Sequence, residues 1–138
     1  MNLDFILVND RLYLIEIGAR MGATCIPEHL SLYTGNDMYE LLINLALNEI
    51  PNYSFNYPKI KSACLLLQSN NTGTFKKILI SKEILNNKKI KIQLDVKPGN
   101  HVEKFITGNH RIGHILTIGN RCNHLLQKVN EQIKIKIE

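Results

Sequence analysis

Two carboxylates and a guanidinium stand at suggestive places near the start of the chain. In DFILVNDRLYLIEIGAR, Asp4 opens one run of alternating residues, Glu16 nearly closes another, and Arg20 follows a short step later. Asn9-Asp10 separates the runs and tolerates the positive φ of a tight hairpin turn. Residues 4–8 and 12–17 are therefore predicted as antiparallel strands. Such pairing brings Asp4 close to Glu16; both are even-numbered in strands whose side chains alternate, and the turn decides which faces match. The second strand is expected to be buried, where a carboxylate is costly unless a partner or metal offsets its desolvation. Two carboxylates held together repel unless a hard cation such as Mg2+ lies between them, an ion that takes oxygen ligands and keeps waters and phosphates in its shell. Arg20, a permanent cation with forked donors, is the residue type that holds phosphate oxygens or a phosphoryl group in transfer. The competing arrangement is an exposed Asp4 beside a plain Glu16–Arg20 salt bridge, and spacing alone does not separate the two.

The elements that must position these residues can be read in turn. Gly18 and Gly22 bracket the exit from the hairpin and are expected to permit a sharp or unusual backbone path. TCIPEHLSLYTG is expected to be an ordered loop or short helical piece, with Pro27 able to open a turn of helix. Asn36 is the predicted N-cap of an amphipathic helix ending near Asn48, with Asp37 and Glu40 in its first turn and Met38, Leu41, Leu42, Leu45 and Ala46 on one face. NEIPNYSFNYPKIKS then breaks the pattern and is the expected boundary, giving a first part over residues 1–58 and a second over 59–138. In the second part, strands are predicted over 63–67, 73–80, 90–96, 111–118 and 133–137. A short helical piece begins at Ser81, a type II turn falls at 97–100, and a helix over 121–132 is capped by Asn120. The fold class is α+β.

Charge divides at the same place. Residues 1–58 hold two basic side chains against seven acids, whereas 59–138 hold 15 against five. Lysines alternating with isoleucines, as in KKIKIQLDVK, describe half-exposed strands. Aromatic residues that would stack bases are not interleaved among them, which argues against a nucleic-acid surface. No apolar run reaches the ~20 residues of a membrane span, and no basic segment with an apolar core marks a signal peptide. Cys25, Cys64 and Cys122 form no CxxC pair and are expected to be reduced thiols of a cytoplasmic protein. Cys25 has no His–acid pair nearby that would make it a nucleophile. His29 is a candidate for the substrate cleft, although a loop histidine is more often a surface residue. His101, His110, His114 and His124 are too scattered for a metal set, and Arg111 is expected to pair with a nearby carboxylate.

The stretch DFILVNDRLYLIEIGARMGATCIPEHLSLYTGNDMYELLINLALNE resembles the C-terminal end of an ATP-grasp domain. Asp4, Glu16 and Arg20 match an acid, then a Glu about a dozen positions on, in a signature resembling E-x-N-x-R. The resemblance implies that Asp4 and Glu16 hold the Mg2+ of ATP and that Arg20 binds the phosphates or an acyl-phosphate. Gly18 stands where that signature has Asn, which puts the coordination of a second magnesium in doubt. IEIGARMG followed by TGND resembles the carboxylate–amine ligase branch that includes L-amino-acid ligases. The segment VKPGNHVEKFITGNHRIGHILTIGNRCNHLLQKVNEQI is similar to the small C-terminal lobe of those enzymes.

Nothing in the chain looks like the phosphate-binding lysines, adenine hinge or glycine-rich loop that such enzymes carry upstream, and the P-loop pattern is absent. The resemblance thus implies the last third of an ATP-dependent ligase of a small carboxylate and an amine, inactive without its upstream lobes and prone to join such a lobe or self-associate. The rival readings are a non-catalytic accessory or remnant domain that binds a partner subunit, and a small basic nucleic-acid-binding domain.

Overall fold

The computed structural model describes residues 1–51 and 60–138. The chain divides into two compact units, Met1–Tyr57 and Pro58–Glu138; the expected boundary at 58/59 falls at residues outside the described ones.

The first unit opens with strands β1 (Asn2–Val8) and β2 (Arg11–Gly18), paired antiparallel. Asn9 and Asp10 join them with φ of 47° and 59°, the two left-handed residues of a type I′ turn, whose twist matches that of the strands. Helix α1 (Ile26–Thr34) follows. Of the loop or short helical piece expected here, the helix is what forms, over nine residues. Pro27 sits in its first turn, and Gly35, at φ 76°, ends it with its N–H bonded to the Ser31 carbonyl at 2.9 Å. Helix α2 (Met38–Ala46) is capped by Asp37 rather than by the expected Asn36. The Asp37 carboxylate accepts from the backbone N–H of Tyr39 at 2.8 Å and of Glu40 at 3.2 Å. The helices pack on each other. Ser31 ties them, donating to the Pro27 carbonyl at 2.8 Å and accepting from the Met38 N–H at 3.0 Å.

Among its described residues this unit buries only Cys25 and Pro27, and α2 buries none. The second strand, expected to be buried, is exposed along its length except at Gly18.

The second unit holds two antiparallel sheets. In one, β3 (Ser62–Leu67), β7 (Gly113–Ile118) and β5 (Ile90–Leu94) lie in the order β3-β7-β5. In the other, β6 (His101–Val102), β4 (Gly73–Leu79) and β8 (Lys134–Ile137) lie in the order β6-β4-β8. The short strand β6 was not foreseen. Ser81 caps α3 (Lys82–Leu85) by accepting from the Ile84 N–H at 3.3 Å. Gly99 takes φ 94° in the foreseen turn over 97–100. Helix α4 (Cys122–Gln132) packs on β3 and β7; Arg121 stands at its N-cap, and Asn120 does not cap it. Leu67, Phe75, Ile84, Val102, Ile112, Ile115 and Val129 form one buried core. Thr117, fully buried, donates its hydroxyl to the Cys122 carbonyl at 2.8 Å, which satisfies that hydroxyl.

Candidate functional site

A two-residue turn, continued without a break, would pair Asp4 with Ile15 and put Glu16 on the opposite face of the ribbon. The strands are not continuous in that sense. Beyond Phe5↔Leu14 the register shifts by one, Ile15 has no partner, and Asp4 pairs directly with Glu16, Leu3 with Ile17 and Asn2 with Gly18. This β-bulge turns Glu16 onto the face of Asp4. One face of the hairpin then carries Asn2, Asp4, Ile6 and Val8 opposite Gly18, Glu16, Tyr13 and Arg11. The other carries Leu3, Phe5 and Leu7 opposite Ile17, Leu14 and Leu12, and is wholly apolar.

Arg20 joins the first face. A Cβ built on Gly18 would lie 3.5 Å from Arg20 Cγ and 3.8 Å from its Nε, so the arginine side chain runs over Gly18 on the side of Glu16. Its Nη1 donates to the Met21 carbonyl at 3.1 Å. None of the ion pairs among the described residues joins Arg20 to Glu16, so the plain salt bridge that competed with a shared site is not formed. Asn2, which its sequence position did not single out, belongs to the same face and donates to Asp4 Oδ1 at 3.2 Å. Counting by twos from Asp4 would have found it.

The loop beyond Arg20 corrects one expectation. Positive φ falls not on Gly18 or Gly22 but on Thr24 (63°) and Cys25 (65°), a conformation costly for a β-branched residue. Gly22 serves close approach instead, since a Cβ there would meet Ile26 Cδ1 at 2.9 Å and Asn2 Oδ1 at 3.2 Å. Downstream, Glu28 Oε1 accepts from the Tyr39 hydroxyl at 2.7 Å, and His29 is half-buried on α1.

The remaining candidates lie in the second unit. Arg111 Nε donates to Asp95 Oδ2 at 2.6 Å, the carboxylate pairing foreseen for it. His110 Nε2 lies 3.1 Å from Glu103 Oε2; His114 is buried, whereas His101 and His124 are exposed. Cys25, Cys64 and Cys122 form no disulfide. Among the described residues no group of three or more His, Cys, Asp or Glu could hold a metal. Asp4 and Glu16 are two oxygen donors without a thiolate or imidazole. Such a pair suits a hard ion such as Mg2+ that completes its shell with water and phosphate.

The architecture has known counterparts. The chain superposes on phosphoribosylglycinamide synthetase from Anaerococcus prevotii with a TM-score of 0.81 at 24% identity, covering 99% of this chain and 36% of that one. L-amino acid ligase from Bacillus licheniformis gives 0.77 at 20% identity, with 99% and 35% covered. The biotin carboxylase domain of Hydrogenobacter thermophilus 2-oxoglutarate carboxylase, solved with MgADP and bicarbonate, gives 0.76 at 15% identity, with 98% and 31% covered. No family model and no curated protein matches the sequence. These neighbours are ATP-grasp enzymes, and the fold of this chain is that of their C-terminal part. The chain spans about a third of the length of the structures it matches. No helix among the described residues is long and apolar enough to cross a membrane.

Proposed function

We propose that the chain is the C-terminal portion of an ATP-grasp carboxylate–amine ligase, acting with a nucleotide-binding lobe in the same or another polypeptide. Asp4 and Glu16 would hold magnesium, and Arg20 would steady the charge that develops on the transferred phosphoryl group. Bound there, magnesium neutralises phosphate charge and fixes the phosphate orientation. A carboxylate oxygen of the substrate attacks the γ-phosphorus of ATP, the bond to ADP breaks, and ADP and an acyl-phosphate result. An amine then attacks the acyl carbon, the bond to phosphate breaks, and the nitrogen gives up a proton as the amide forms. The observation that carries this reading is the direct pairing of Asp4 with Glu16 on the face over which Arg20 lies, in a chain whose fold is that of the C-terminal part of ATP-grasp enzymes.

Positioning supplies much of such catalysis, so the 138-residue chain alone is expected to release no phosphate from ATP. Joined to its nucleotide-binding lobe it should do so in the presence of Mg2+, and Glu16→Gln should abolish the release. Robust turnover by the isolated chain, lost in Glu16→Gln, would sink the reading as a portion. A completed enzyme indifferent to Glu16→Gln would sink the roles assigned to the carboxylates.

A second reading is a non-catalytic accessory domain that binds a partner subunit. It is favoured by the exposed apolar face of the hairpin in a unit with so little buried.

A further inference from the structure

Gly18 poses a question that its backbone does not answer. Its φ is not positive, and a Cβ there would meet nothing closer than 3.5 Å, so neither conformation nor crowding requires glycine. The signature that this strand resembles has an amide side chain at that position. In this chain an amide is found directly across the ribbon, where Asn2 is the cross-strand partner of Gly18.

Three observations fix the Asn2 side chain over the site. Its Nδ2 donates to Asp4 Oδ1 at 3.2 Å. Its Oδ1 lies against Gly22, within 3.2 Å of where a Cβ would be, so the glycine leaves room for it. It shares the face of Asp4 and Glu16, and it is half-buried although it lies one residue from Met1.

We infer that Asn2 is the positioning residue of the carboxylate pair, its side chain holding Asp4 in the orientation that receives a divalent cation. The inference rests on the reading of Asp4 and Glu16 given above. The hydrogen bond engages Oδ1 of Asp4 and leaves Oδ2 for the ion. A carboxylate oriented beforehand loses less freedom when the cation arrives, and partners of this kind are commonly worth about 10- to 100-fold in metal affinity.

The test uses Mn2+, an oxygen-seeking stand-in for Mg2+, titrated into the chain joined to its nucleotide-binding lobe while free Mn2+ is followed by electron paramagnetic resonance. Glu16→Gln should abolish specific binding. Asn2→Ala should weaken it about tenfold with an unchanged circular dichroism spectrum. Asn2→Leu, which keeps the side-chain size but no donor, should show the same loss. A loss that came from packing alone would be smaller in Asn2→Leu than in Asn2→Ala. Wild-type affinity in Asn2→Ala or in Asn2→Leu would overturn the role of Asn2 and leave the carboxylate reading standing. Identical behaviour of the wild type and Glu16→Gln would overturn both.

Discussion

The apolar face of the hairpin allows a stability argument to be worked through. Leu3, Phe5, Leu7, Leu12, Leu14 and Ile17 share that face, and each is between 44% and 68% exposed. Full burial of such a side chain is worth about 1.5–3 kcal/mol, so the uncovered half leaves roughly 1 kcal/mol per residue, or about 6 kcal/mol over the face. The net stability of a whole domain is only about 5–15 kcal/mol. The two-stranded sheet also has an unpaired edge on each side, which invites a further strand. The isolated chain is therefore expected to self-associate or to fray over residues 2–18, and to become well behaved once the face is covered. The informative variant changes cross-strand partners together: Phe5→Lys with Leu14→Glu keeps an attractive pair in the ribbon while removing apolar area. It should shift sedimentation toward monomer, whereas Ile6→Lys with Tyr13→Glu on the other face should do so less. A wild-type monomer with strong amide protection over residues 2–18 would refute the reasoning and advance the accessory-domain reading.

Elsewhere the effects are local. Gly113→Ala should unfold the second unit or cost more than the about 1–3 kcal/mol usual for overpacking, because its Cβ would overlap the Gln93 carbonyl oxygen and lie 2.9 Å from Leu94 Cα, both backbone atoms of a paired strand; thermal denaturation reads this. Asp37→Ala should lower the stability of the first unit by about 1 kcal/mol, through loss of the bonds to Tyr39 and Glu40, measurable as a lower denaturant midpoint.

Much of the fold was legible in the sequence. Alternation and turn residues located the strands because period-two patterning and left-handed Asn-Asp are local properties. The helix foreseen over 121–132 is α4, with Cys122 and Val129 buried at the i, i+7 spacing of one helix face. What escaped reading depends on groups distant in sequence. Strand β6 is two residues long and exists only through its pairing with Gly73 and Thr74. The burial expected of β2 failed because composition records how apolar a strand is, not whether anything covers it. At the candidate site, the approach of Asp4 to Glu16 was legible from the hairpin. The bulge that gives both carboxylates one face was not, since Ile15 looks like any other strand residue, and the part played by Asn2 emerged only from its partners across the ribbon.

The unpaired Ile15 bears on how such sequences vary in length. Removing one residue from a strand normally inverts every side chain beyond it. Here the surplus residue is itself the irregularity, and it is largely exposed. A chain lacking it could pair Asp4 with the same glutamate in an unbroken two-residue-turn register, with Leu3, Ile17, Asn2 and Gly18 keeping their present partners. The number of residues separating the two acids can thus differ by one without parting them. A search pattern with a fixed interval between acid and glutamate would miss chains that build the same pair with the other strand length.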